Sequence, residues 1–145
     1  MDAKRYDGLW APEEFWRRLK NDPASLKKIC NGVGSETSWT YHLTPDTIWG
    51  LDITPAADIH DDMYTEPKEF ASDADALTWK DKADRVFLNN MIRLFEQAEA
   101  KSWWARRVAG LRRHRAQLYF EALQKFGSTS FWEGKNKPSE LGRTA

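Results

Sequence analysis

Two polar residues of this chain stand where apolar ones belong. With a step of about 100° per residue, Asp84 falls mid-way across a stripe of Phe87, Leu88, Met91, Leu94, Phe95 and Ala98. Arg85, Asn89, Asn90, Arg93, Glu96 and Gln97 fall on the other side. An ionised carboxylate in such a stripe is costly unless it is paired or hydrogen-bonded. His60 has the same standing on an earlier segment, with Ala56, Ala57, Met63 and Tyr64 on its face and Asp58 and Asp62 opposite. Asp61 sits at the edge of that face. A buried His and a buried Asp on neighbouring helices relieve each other's desolvation. The carboxylate accepts one ring N–H, which fixes the tautomer and leaves the other ring nitrogen as a base. Tyr64, one turn beyond His60, is placed to donate its hydroxyl to the same carboxylate. The plain alternative is a core ion pair with no catalytic role.

A second pattern is Cys30-Asn31-Gly32-Val33-Gly34. Alternating glycines let the backbone turn so that several carbonyls point inward. With one carboxylate they form an oxygen cage of the kind calcium takes, and Asp61 is the obvious carboxylate. The alternative is a simple turn. Cys30, His42, His60 and Asp61 have no compact zinc spacing, and Cys30 lacks the signature of a nucleophile.

The elements that must position these residues read as helices. Pro12 opens one that runs to about Lys20. Asp22 caps a second, from Pro23 to about Cys30. A turn-rich stretch follows over 35–52, with a short strand near Trp39–Leu43. Thr54 as N-cap and Pro55 at the first position begin a helix to about Tyr64. An acidic loop covers about 65–75. Long helices then span about 76–98 and about 102–126, the latter closed by Gly127. The lead-in over 1–11 reads as irregular and the tail from Gly134 as polar and loose. The expected class is all-α, with a single domain over 1–133 and a polar C-terminal tail over 134–145.

With 145 residues, 41% of them hydrophobic, the chain can bury a core without staples. The formal net charge is zero, which argues against nucleic acid. The charges are polarised: ten acidic residues against three lysines from Asp52 to Asp84, and seven basic residues against Glu121 alone from Lys101 to Lys125. A single cysteine excludes an intrachain disulfide. No run is long enough to span a bilayer. The N-terminal residues lack the apolar stretch of a secretory signal, so a cytoplasmic location is the default, with export by another route as the alternative.

Asn31-Gly32-Val33-Gly34, His60-Asp61-Asp62-Met63-Tyr64 and Ala83-Asp84 together resemble the phospholipase A2 superfamily. That superfamily carries a Cys-Gly-x-Gly-like calcium loop, a downstream His-Asp-x-Cys-Tyr helix and an Asp on the next long helix. The resemblance covers about residues 26–98, and His-Asp-x-x-Tyr is its most specific part. It implies a core of two packed long helices plus the His-Asp helix, with an irregular glycine loop, as in a disulfide-free prokaryotic or phage-like member. It further implies calcium-dependent cleavage of the sn-2 ester of glycerophospholipids. In that scheme His60 deprotonates the attacking water, Asp84 orients His60, and Tyr64 supports Asp84. Asp61 and the carbonyls of Cys30, Gly32 and Gly34 bind Ca2+, and the Gly32 N–H assists the oxyanion.

The departures are at the cysteines. Ala56, Ala57, Met63 and Asn31 stand where the family has half-cystines, so packing, through Trp49, Trp79, Met91 and Phe95, must hold the dyad. The implied partner is a phospholipid bilayer or micelle surface, contacted peripherally. Two non-catalytic alternatives are a binding or structural module with a protein partner, phage- or toxin-associated, and an adaptor acting through the Lys101–Lys125 face. Lys101-Ser102-Trp103-Trp104-Ala105-Arg106-Arg107 mixes aromatics with cations as an interfacial face does. The expectation from composition is nevertheless that Trp103 and Trp104 pack in the core while the arginines are solvated.

Overall fold

Local chemistry sets most helix boundaries. The computed structural model describes residues 3–30 and 46–142, and it is mostly helical. Helices α1 (Glu13–Asn21) and α2 (Pro23–Cys30) follow a 3-10 turn at Ala3–Tyr6, and the Asp22 carboxylate accepts the Ser25 N–H at 3.3 Å. A hairpin of β1 (Thr47–Ile48) and β2 (Leu51–Asp52) leads into α3 (Thr54–Thr65). Thr54 is the first residue of α3 rather than its cap; Asp52 accepts its N–H at 2.9 Å and also its hydroxyl. The longest helix, α4 (Asp73–Glu99, 27 residues), begins with Ser72 accepting the Asp75 N–H at 3.1 Å. Asp73 and Asp75 in its first turn complement the helix dipole.

The expected single helix over 102–126 is two. Ser102 caps α5 (Trp103–Arg107), Val108 breaks the helical path at φ −98°, ψ 8°, and α6 (Ala109–Phe126) continues. Gly127 ends α6, and a short α7 (Ser128–Trp132) follows it. The segment after Gly134 is tied back rather than loose. Lys135 bonds the Tyr64 and Phe131 carbonyls, Pro138 is buried in a 3-10 turn (Pro138–Leu141), and Ser139 donates to Asp73 through its N–H and hydroxyl. The strand expected near Trp39–Leu43 lies outside the described residues.

The core centres on α4, which packs chiefly on α6 and α3, while α3 also packs on α2. Phe15, Leu26, Ile59, Met63, Phe87, Met91, Phe95, Leu123 and Phe131 are buried there. Helix α3 is covered on nearly every side, including the side of Asp58 and Asp62 opposite His60. Both are buried, because the N-terminal segment and α1 pack over the side opposite His60. Tyr6 donates to Asp58 at 2.8 Å, and the Arg18 guanidinium grips Asp62 with two bonds of 2.9 and 2.6 Å. The lead-in is also pinned to α4. Asn90, read as outward-facing, is buried and exchanges hydrogen bonds with the Trp10 backbone at 2.9 and 2.8 Å.

Of the four residues expected to brace the dyad, Met91 and Phe95 are fully buried and Trp79 bonds the Met63 carbonyl at 2.7 Å. Trp49 does not join them; it lies at the hairpin tip and is 47% exposed. Trp103 and Trp104, expected in the core, are 66% and 52% exposed. No helix among the described residues is long and apolar enough to cross a membrane.

Candidate active site

Where α3, α4 and α6 meet, Asp84 accepts four hydrogen bonds. Its Oδ1 takes His60 Nε2 at 3.0 Å and the Tyr64 hydroxyl at 2.6 Å. Its Oδ2 takes Lys80 Nζ at 2.9 Å and Gln124 Nε2 at 2.7 Å. Four donors fill the lone-pair sites of a carboxylate, which answers the cost of its burial. Lys80 also donates to the Leu123 carbonyl at 3.0 Å, joining α4 to the end of α6. His60 lies between Tyr64 and Phe87, with ring centroids 4.1 and 5.0 Å away. Gly127 makes the close packing possible: a Cβ there would come within 2.8 Å of the Tyr64 hydroxyl and 3.4 Å of Lys80 Cε.

The electrostatics favour an ionised Asp84 and a neutral His60. Burial raises the Asp84 carboxyl, but the hydrogen bonds it accepts from His60, Tyr64 and Lys80 outweigh it and hold it below the ordinary carboxylate range. Burial lowers His60; Asp84 opposes that and Lys80 adds to it. Burial and the Asp84 charge both raise Tyr64, which keeps it a hydrogen-bond donor. With the carboxylate as acceptor, the proton of the neutral imidazole resides on Nε2 and the basic lone pair on Nδ1.

Sequence reasoning placed His60, Tyr64 and Asp84 together, and the structure joins them. It missed Lys80, although four residues separate Lys80 from Asp84 on one helix, the spacing of an ion pair. It also missed Gln124 and the close approach at Gly127, for which the sequence carries no local signal.

Asp61 is half-buried at the edge of α3, beside His60. Cys30 ends α2 against the same helix, its thiol 3.6 Å from the Asp58 carbonyl. Burial raises the Cys30 thiol, and the charges of Asp58, Asp61 and Asp62 raise it further, so it is no ready nucleophile. A carboxylate with backbone carbonyls is the kind of donor set that calcium takes; of the four residues expected to supply it, Asp61 on α3 and Cys30 at the end of α2 are described. Gly32 and Gly34, with Asn31 and His42, lie outside the described residues. Among the described residues, no group of three or more His, Cys, Asp or Glu side chains forms a metal site. Asp58 and Asp62, committed to Tyr6 and Arg18, are structural.

Comparison with known protein families, curated proteins and solved structures finds no match to this chain.

Proposed function

We propose that the chain is a calcium-dependent phospholipase A2-like hydrolase that cleaves the sn-2 ester of glycerophospholipids. Its core would be the family's pair of long helices with the His-Asp helix between them. The observation that supports this reading is the four-donor Asp84, which fixes the proton of His60 on Nε2 and points the basic lone pair of the ring elsewhere.

In this mechanism His60 Nδ1 takes a proton from water as the water oxygen bonds to the ester carbonyl carbon. Asp84 steadies the imidazolium, and Tyr64, Lys80 and Gln124 hold Asp84. When the tetrahedral centre collapses, the ester C–O bond to the glycerol breaks and the imidazolium proton passes to the leaving alkoxide. Free fatty acid and a lysophospholipid result, and His60 is neutral again. Asp61 with the carbonyls of Cys30, Gly32 and Gly34 would hold the calcium, which would supply positive charge for the developing oxyanion, and the resemblance assigns the Gly32 N–H to the same oxygen.

One observation favours a second reading. His60 and Asp84 are both fully buried, as a core network is, which suits a non-catalytic binding or structural module in a phage- or toxin-associated assembly. Fatty-acid release from phospholipid vesicles separates the two. The hydrolase reading predicts release that rises with calcium, stops in chelator and is abolished by Asp61→Asn. It also predicts a calcium-dependent rise in melting temperature that this substitution removes. Full release in excess chelator would overturn the calcium assignment. No release at any calcium level would favour the module.

A further inference from the structure

We infer that the cavity between α1 and the C-terminal end of α3, walled by Trp79 of α4, is a binding site for a small organic cation, an ammonium group carried on an apolar body. Its volume is about 300 Å³, the lower end of the range for small-molecule pockets. Asp62 lines it from the side of α3 opposite His60, so the inference goes beyond the hydrolase reading and stands without it.

The cavity is built by two pairs at four-residue spacing. Glu14 and Arg18 share one side of α1, while Asp62 and Glu66 share one side of α3 and the residue that caps it. The Arg18 guanidinium crosses to Asp62 with bonds of 2.9 and 2.6 Å and ties the two sides together. Pro12 and Pro67 add apolar rings to the lining. Trp79 completes it, with its indole N–H bonded to the Met63 carbonyl at 2.7 Å. That bond fixes the ring before any ligand arrives, which lowers the entropic cost of binding.

Charge and chemistry identify the occupant. Three carboxylates border the cavity against one guanidinium, and that guanidinium is committed to Asp62. Glu14 is met from outside by Arg17 at 2.6 Å. The half-buried Glu66 carboxylate makes no hydrogen bond or ion pair with any described residue. Burial raises the Asp62 carboxyl; Arg18 opposes that, and the charges of Glu66 and Glu14 raise it further. The excess of negative charge is therefore felt inside the cavity, and a cation relieves it. An anion finds no welcome, because proline carries no N–H to donate and Arg18 is already occupied. The aromatic wall selects in the same direction. Lys82 Nζ lies 5.6 Å from the Trp79 ring centroid and 5.0 Å from that of Trp10, so this ring already takes a cation, as the negative face of an indole does. Among the described residues no group of three or more His, Cys, Asp or Glu forms a metal site. Indole and proline surfaces instead suit an organic body behind the charge.

The test is isothermal titration with four probes of similar size, namely benzylamine, benzyltrimethylammonium, benzyl alcohol and benzoate, without calcium or phospholipid. Both cations are expected to bind at least about tenfold more tightly than the neutral alcohol, and benzoate not to bind. Glu66→Gln should weaken the cations about fivefold or more while leaving the alcohol unchanged. Glu66 has no partner to lose among the described residues, and an unchanged melting temperature confirms the fold. Glu13→Gln, exposed on α1 outside the cavity, should bind as the parent does. Trp79→Leu should weaken both cations, beside a melting curve that reports the lost bond to Met63. A parent that binds neither cation, that binds alcohol or benzoate as well as the amines, or that loses nothing on Glu66→Gln overturns the proposal. Fatty-acid release is measured separately, so cation binding without release sustains this site and removes the hydrolase, and release without cation binding does the reverse.

Discussion

Asp84 accepts from His60, Tyr64, Lys80 and Gln124, and the balance among these donors decides what each substitution does. Asp84→Asn keeps an acceptor but places a neutral amide against Nε2, so the imidazolium loses its counter-charge and the tautomer is no longer fixed. Turnover should fall by roughly four orders of magnitude, read as kcat, and the melting temperature should fall too, because the amide leaves the Lys80 ammonium without a counter-charge. Asp84→Ala removes the acceptor as well as the charge and should cost roughly 3–5 kcal/mol in urea unfolding. Lys80→Met removes a neighbour that lowers His60; the acidic limb of kcat/KM should then move to higher pH, because the ring protonates more readily. His60, Tyr64 and Asp84 were legible in the sequence because a polar residue in an apolar stripe demands a partner. Gln124 was not, since it reaches the site only through the register of α6 on α4.

At the scale of elements, α3 carries the most information because it is buried nearly all round. The helical wheel identified one buried face, with Asp58 and Asp62 opposite it, and gave no sign that their side is buried too. Their partners, Tyr6 and Arg18, are 52 and 44 residues away, beyond any local pattern. Arg18→Ala should leave the Asp62 charge buried and unpaired, at roughly 3–5 kcal/mol, and urea unfolding measures it. Asp58 gives a pH test. Burial pushes its carboxyl up to about 6, with the Tyr6 hydrogen bond and the Arg5 charge pulling the other way. The folded state therefore holds this proton between about pH 4 and 6 where the unfolded chain has released it. The stabilisation is present below that window and is lost as the pH rises through it. Asp58→Asn keeps an acceptor for Tyr6 and should gain on the order of 2 kcal/mol over the parent between pH 4 and pH 7, measured by unfolding at both. Helices α1 and α2 were readable from Pro and Asp signals and α4 from apolar spacing, though α4 starts at Asp73 behind its Ser72 cap, inside the stretch expected to be an acidic loop. The break at Val108 was not, because good helix formers continue on both sides, and the hairpin was hidden by a tryptophan where Asn or Gly usually marks the turn.

Across the whole molecule, the all-α class followed from helical periodicity, and a single cysteine fixed the absence of an intrachain disulfide. A chain whose helices α3, α4 and α6 are joined by core packing and hydrogen bonds, with no disulfide between them, should melt at the same temperature with and without reductant. The polarised charge, an acidic middle and a basic stretch from Lys101 to Lys125, was legible in the sequence, whereas the exposure of Trp103 and Trp104 could be known only once α5 was seen to turn them outward. The central claim is that His60 is the base of an ester hydrolase, and its most direct test uses a phospholipid labelled differently in its two acyl chains, with calcium present. The account predicts that the parent releases the sn-2 acid alone and that His60→Gln, folded by its melting curve, releases none. Release by the variant at the parent's rate, or no release by the parent, would contradict it.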